Sequence, residues 1–230
     1  MLACSLSSSG STLPFSHVPH FLSTTVAHTP IYSLCNFFPI SPYTSARSAA
    51  FAATIPDNGG VYFVPAFSGL YAPYWRSDAR GLIAGLTLYN TKAHIVRAAL
   101  EAAAFQVTEV VDAMEKDAAE AQLGLAVKHT LKLLVDGGMT NNATLMQFQS
   151  DMLGISIQRP RSAETSALGA AFAAGLGVQY WTSLEQLKSV YTAGQVWHPQ
   201  APPAERIRQL HNWKKAISRS LGWIEGPAQH

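Results

Sequence analysis

Leu131–Val135, apolar except at Lys132 and without alternation, runs directly into Asp136-Gly137-Gly138. A short strand that does not alternate is expected to be buried on both faces, as in sheets covered by helices on either side. This feature narrows the chain to an α/β arrangement, and the flanking pattern agrees. Val61–Phe67 reads as a strand with a proline near its end, Leu82–Leu88 as a second, and Ile155–Gln158 as a further one. Thr91 is the expected N-cap of a long helix reaching about Lys116, with Ile95, Ala98, Ala102 and Phe105 on one face. Leu145, Phe148 and Met152 mark another helix. Thr165–Leu176 is a helix of small residues, whose Gly169 and Gly175 predict close helix–sheet packing. Ala204–Leu221 is amphipathic, with Ile207, Leu210, Ile217 and Leu221 on its apolar side. Strand and helix alternate, which predicts an α/β domain with a largely parallel sheet.

The first 56 residues differ in character. They hold eleven serines, repeated prolines, one basic residue (Arg47) and no acidic residue before Asp57. No helical or strand period holds there for more than a few positions. The segment lacks the basic start and compact apolar stretch of a secretory signal. Its Ser-rich, acid-free composition leaves three readings: a disordered extension, a wrongly joined first exon, or an organellar transit peptide. The expected organisation is therefore 1–56 as an unrelated Ser/Pro-rich segment and 57–230 as the folded domain.

Charge and cysteine usage exclude several function classes. The formal net charge is +2, and the sixteen Lys and Arg residues form no basic stripe, which argues against a nucleic-acid partner. No apolar run reaches the ~18 residues of a membrane-spanning helix. Cys4 and Cys35 both fall in the first 56 residues, so the main domain has no disulfide framework and the chain suits a reducing, cytoplasmic setting. The histidines are too scattered for a metal site. Trp75, Trp197, Trp213 and Trp223 are read as packing residues.

The candidate site is Val135-Asp136-Gly137-Gly138-Met139-Thr140-Asn141-Asn142, leaving the buried strand and entering a helix. Two glycines remove Cβ atoms, so the backbone can turn sharply and a flat ligand can approach. The helix start behind them offers free N–H groups and partial positive charge. Asn141 or Asn142 can cap the helix or bond a ligand. A ligand loop at the carboxyl end of a strand and a purely geometric strand-to-helix turn both fit this pattern. It is not a Walker loop, because Gly-x-x-x-x-Gly-Lys is absent. Glu101 and Arg80 read as structural partners of their surroundings, and Asp136 either orients the loop or touches a metal through water.

Gly81-x-Ile83-x-Gly85-Leu86, seven residues, then His94-Ile95-x-x-Ala98-Ala99-Leu100-Glu101 resembles the second signature of the FGGY sugar-kinase family. Pro65–Trp75 and Ala79-Arg80-Gly81 are similar to its glycerol kinase branch. Val135–Asn142, Leu145–Asp151, Glu164–Ala171, Trp213–Ala216 and Gly222-Trp223 continue the likeness, which covers about Gly60 to Trp223.

The resemblance implies an actin-like ATPase fold, of which this chain carries the second, ribonuclease-H-like domain, incomplete at its opening strands. It implies that Gly138 and Asn142 contact the adenosine part of ATP, with Gly137 supporting the turn. ATP, Mg²⁺ and glycerol are the expected ligands of the complete enzyme, which would yield ADP and glycerol 3-phosphate. The family's catalytic base and glycerol pocket have no counterpart here, so no catalytic residue is assigned and the chain is expected to be silent alone. Two other expectations stand beside it: a non-catalytic nucleotide-binding module, and one half of a kinase completed by an N-terminal half in trans. An exposed sheet edge would favour such pairing or a homo-oligomer.

Overall fold

A computed structural model describes residues 3–8, 45–120, 131–162, 165–190 and 193–224. Its strands are β1 (Ala3–Ser8), β2 (Tyr62–Val64), β3 (Leu82–Ala84), β4 (Leu131–Asp136), β5 (Ile157–Pro160) and β6 (Ala193–Trp197). Its helices are α1 (Ser45–Ala52), α2 (Lys92–Glu120), α3 (Ala143–Leu153), α4 (Thr165–Gly177), α5 (Leu184–Val190) and α6 (Pro203–Arg219). A 3₁₀ turn, Gly138–Asn141, joins β4 to α3.

Four strands form one sheet in the order β1-β4-β5-β6, and β2 pairs with β3 in a separate antiparallel ribbon. Among the strands of the described residues only β4 and β5 pair in parallel, with Leu133 opposite Ile157 and Leu134 opposite Gln158. β1 and β6 run antiparallel on the two edges. The sheet is thus mixed rather than largely parallel. Antiparallel edge strands on a parallel centre are common, because an edge strand needs no crossover helix.

Helix α2 organises the interior, because its small residues let two layers approach it. Ala98, Ala99, Ala102 and Phe105 pack with β2 and with Trp213, Ala216 and Ile217 of α6. One step round the helix, Ala103, Ala104, Val107 and Val111 pack with Leu133 and Val135 of β4, Leu145 and Met146 of α3, and Ile157 of β5. Phe148 touches both clusters. The Phe105 ring stacks on Trp213 with centroids 5.0 Å apart and meets Phe148 edge-on at 5.3 Å, the offset and T-shaped arrangements that ring quadrupoles favour.

The start of α2 is closed in reverse of the usual cap. Thr91 precedes the helix, and its N–H donates to Nδ1 of His94, 3.0 Å away. The side chain three positions into the helix thus reaches back to the cap residue, the part Glu or Gln plays in a capping box.

Other differences from the sequence pattern have plain causes. Helix α1 and strand β1 lie where no periodicity holds: α1 is eight residues long, and β1 owes its place to the edge of β4 rather than to its own pattern. Helix α4 buries no residue, so Gly169 and Gly175 do not serve a helix–sheet contact; a Cβ at Gly169 would meet nothing within 4 Å. Ile207 is 64% exposed, while α6 buries Gln209, Trp213, Ala216 and Ile217. Trp197 and Trp213 are packing residues, but Trp75 and Trp223 are exposed. Most of the segment read as a targeting peptide or disordered extension, with Cys35, lies outside the described residues, as does Glu164.

Candidate functional site

The two glycines of the loop have different tasks. Gly137 lies at φ 94°, ψ 169°, a conformation that side chains rarely adopt, and it makes the exit from β4 possible. Gly138 is exposed, and a Cβ built on it would meet nothing within 4 Å. The absence of a side chain there serves no internal packing. It leaves open backbone on the outer side of the loop.

The turn then closes on itself. The N–H of Thr140 donates to the Gly137 carbonyl at 3.0 Å, and its hydroxyl donates to the same oxygen at 2.7 Å. The Asn142 N–H donates to the Met139 carbonyl at 3.1 Å. Met139 and Thr140 are buried beneath, so the loop is pinned on its inner side.

The two asparagines separate as well. Asn142 is buried and caps α3, its Oδ1 accepting from the Leu145 N–H at 3.1 Å. Asn141 is exposed, and its Oδ1 accepts from Arg159 Nη1 at 2.7 Å. Gly137, Gly138 and Asn142 are thus brought together at the carboxyl end of β4, beside its parallel neighbour β5. Asp136, the last residue of β4, lies opposite Ala3 of β1.

Glu101 is a structural partner, as its place in a long helix suggests. Its carboxylate accepts from Asn58 Nδ2 at 2.7 Å and from Arg97 Nε at 2.8 Å. Burial pushes this carboxyl above the usual range, against the pull of Arg97 and Asn58. Arg97 also donates to the Ile55 carbonyl at 2.7 Å, so the group ties the approach to β2 onto α2. Arg80 donates to the Ser77 and Ala79 carbonyls within its own loop.

Sequence reasoning missed three contributors. Arg159 acts on the loop from a strand nineteen residues further on, and no local pattern marks it. Tyr74 donates its hydroxyl to Glu109 of α2, a carboxyl that burial pushes up to about 7. Arg76 and Asp78 form an ion pair at 2.7 Å, and Asp78 Oδ2 accepts from the Gly222 N–H at 2.8 Å.

These features define a class: an α/β domain whose glycine loop opens at the carboxyl end of its parallel strand pair. Comparison with known proteins gives the particular family. Residues 17–178 match the C-terminal domain of the FGGY family of carbohydrate kinases, and the chain belongs to that family. It is 53% identical over 182 residues to a glycerol kinase of Chloroflexus aggregans, covering 79% of this chain and 35% of that protein. A glycerol kinase of Clavibacter michiganensis subsp. michiganensis is 53% identical over 186 residues, covering 81% of this chain and 35% of that protein. The chain thus spans about a third of the length of the curated relatives it matches. Among solved structures, Plasmodium falciparum glycerol kinase with ADP superimposes with a TM-score of 0.74 at 37% identity, covering 86% of this chain and 37% of that one. Xylulose kinase from Rhodospirillum rubrum, with a TM-score of 0.63 at 23% identity, covers 83% of this chain and 37% of that one and attests the fold.

Proposed function

We propose that this chain supplies the nucleotide side of a glycerol kinase, with residues 57–230 as the domain that does so. The observation carrying this reading is the open backbone at Gly138 on a loop pinned from below, in a chain similar to a glycerol kinase solved with ADP. The nucleotide's flat adenosine part would lie over Gly138. Asn142 Oδ1 is taken by the cap, so a contact from this residue falls to its amide nitrogen. In the whole protein the γ-phosphorus of ATP would break its bond to the β,γ-bridging oxygen, which leaves with ADP, and form one to a glycerol hydroxyl oxygen, giving glycerol 3-phosphate and releasing the hydroxyl proton as H⁺. ATP is the phosphoryl donor in that scheme.

Among the described residues no group of three or more His, Cys, Asp or Glu lies together. Mg²⁺ in such reactions is held largely by water and substrate phosphates, with one or two carboxylates, so its arrival with the nucleotide fits this donor set. Among the described residues no helix is long and apolar enough to cross a membrane. The cytoplasm is the compartment we infer, from the cysteine usage alone. A second kinase segment or a second copy of the chain is the partner that the reading allows.

The test is nucleotide-dependent thermal stabilisation of the purified chain, followed by glycerol-dependent ADP release. ADP at 100 times its Kd should add about 2.7 kcal/mol of stability. The Gly138→Val variant should melt like the parent without ligand and lose the ADP shift. A parent chain that ADP leaves unshifted would defeat the assignment, as would a Gly138→Val variant that keeps the shift. Release of ADP without glycerol dependence would overturn the polyol assignment and leave the nucleotide site standing.

A further inference from the structure

The loop Gly137–Asn142 is pinned from below by its own turn, and one residue reaches it from the neighbouring strand. Arg159 Nη1 donates to the Thr140 carbonyl at 3.1 Å and to Asn141 Oδ1 at 2.7 Å. The Thr140 carbonyl belongs to a short 3₁₀ turn, whose last carbonyls have no partner within the turn itself. Arg159 supplies one.

The way Arg159 arrives there is built into the sheet. Parallel pairing sets Leu134 opposite Gln158, so the next residue of β5, Arg159, stands level with the end of β4. On its other side β5 pairs with β6, Gln158 opposite Val196 and Pro160 opposite Ala193. Two residues of β6, Gly194 and Gln195, therefore face the single residue Arg159. That is a β-bulge, a device that twists a strand and re-aims a side chain. The bulge requires glycine, since a Cβ at Gly194 would fall 2.5 Å from the Arg159 carbonyl oxygen. The guanidinium also lies 5.9 Å from the ring centroid of Trp197, itself buried in β6. A flat cation over an indole face is held by the ring quadrupole and loses its freedom to swing.

We propose that Arg159 is the positioning residue of the nucleotide loop: by holding Thr140 and Asn141 from β5, it fixes the spacing between Gly138 and Asn142 and so sets the affinity for an adenine nucleotide. The inference rests on the nucleotide reading of the same loop. Arg159 touches no ligand in this scheme. It acts through the two bonds it donates, and Gly194 and Trp197 aim it.

The experiment compares the parent chain with Arg159→Lys and Arg159→Met by ADP titration, thermal melting without ligand, and amide exchange of Thr140 and Asn142. Lysine keeps the charge and loses the planar fork. Both variants should bind ADP on the order of tenfold more weakly, melt near the parent temperature, and exchange the two amides faster. In an Asn141→Ala background Arg159→Met should weaken ADP binding less than in the parent, because one of its two partners is already gone. Parent-like ADP affinity in both variants overturns the proposal while the nucleotide reading stands. If the parent itself binds no ADP, the nucleotide reading fails and the affinity claim fails with it. Should Arg159→Met not fold, Arg159→Lys decides alone.

Discussion

Tyr74 donates its hydroxyl to the Glu109 carboxylate, fastening the loop between β2 and β3 to the middle of α2. Glu109 is buried, and desolvation raises its carboxyl to about 7 despite the hydrogen bond from Tyr74 and the nearby charge of Lys214, with Asp112 adding to the rise. Between the ordinary carboxylate range and about pH 7, the folded chain therefore holds a proton that the unfolded chain has released. Stability from this group is present at low pH and is lost as pH rises through that window, by up to roughly 3 kcal/mol. Glu109→Gln removes the titration and keeps an acceptor for Tyr74. It should melt higher than the parent at pH 8 and lose that advantage at pH 5. Equal parent–variant differences at the two pH values would rule this out.

Trp213 is fully buried and stacked on Phe105, whereas Trp75 is 74% exposed. Trp213→Ala should cost about 3–5 kcal/mol in urea unfolding, from lost contacts and the cavity left between α2 and α6. Trp75→Ala should stay within about 0.5 kcal/mol of the parent. Comparable losses in the two variants would mean that the packing assignment is wrong.

Gly137 and Gly138 should part company under substitution. Gly137→Ala forces a side chain into φ 94°, ψ 169° and should cost about 1–3 kcal/mol. Gly138→Ala meets no atom and should leave the urea midpoint nearly unchanged. Equal destabilisation would mean that the open face at Gly138 is closed in solution.

Asn142 caps α3 through its side-chain oxygen. Asn142→Ala should lose about 1 kcal/mol of stability. Asn142→Asp retains a capping oxygen and gives up the amide hydrogens, so it should recover the stability without recovering ADP binding. Recovery of both would show that the amide nitrogen makes no ligand contact.

Much of this arrangement is legible in the order of the residues alone. Leu131–Val135 announces β4 because a non-alternating stretch, apolar but for Lys132, belongs between layers. Asp136-Gly137-Gly138 announces the turn, because only glycine readily accepts φ near 94° at that point. Local chemistry also names Asn142 as one of two possible caps. The period of three and four places Ala98, Ala102 and Phe105 on one buried face of α2.

Other properties come into being only when distant segments meet. Apart from the family resemblance, no local pattern says that Gly137 serves the turn and Gly138 the open face, since the two differ only in surroundings. Trp75 and Trp213 are the same residue type, and burial alone separates them. The direction of β1 and β6, and hence the mixed sheet, depends on which edges were left to cover. Arg159 reaches its loop through pairing across β4, β5 and β6 and a bulge at Gly194. Chain-local physics determined the elements and the loop. Long-range pairing and burial decided which of its atoms stay open to solvent, because solvent exposure and strand register belong to no single segment.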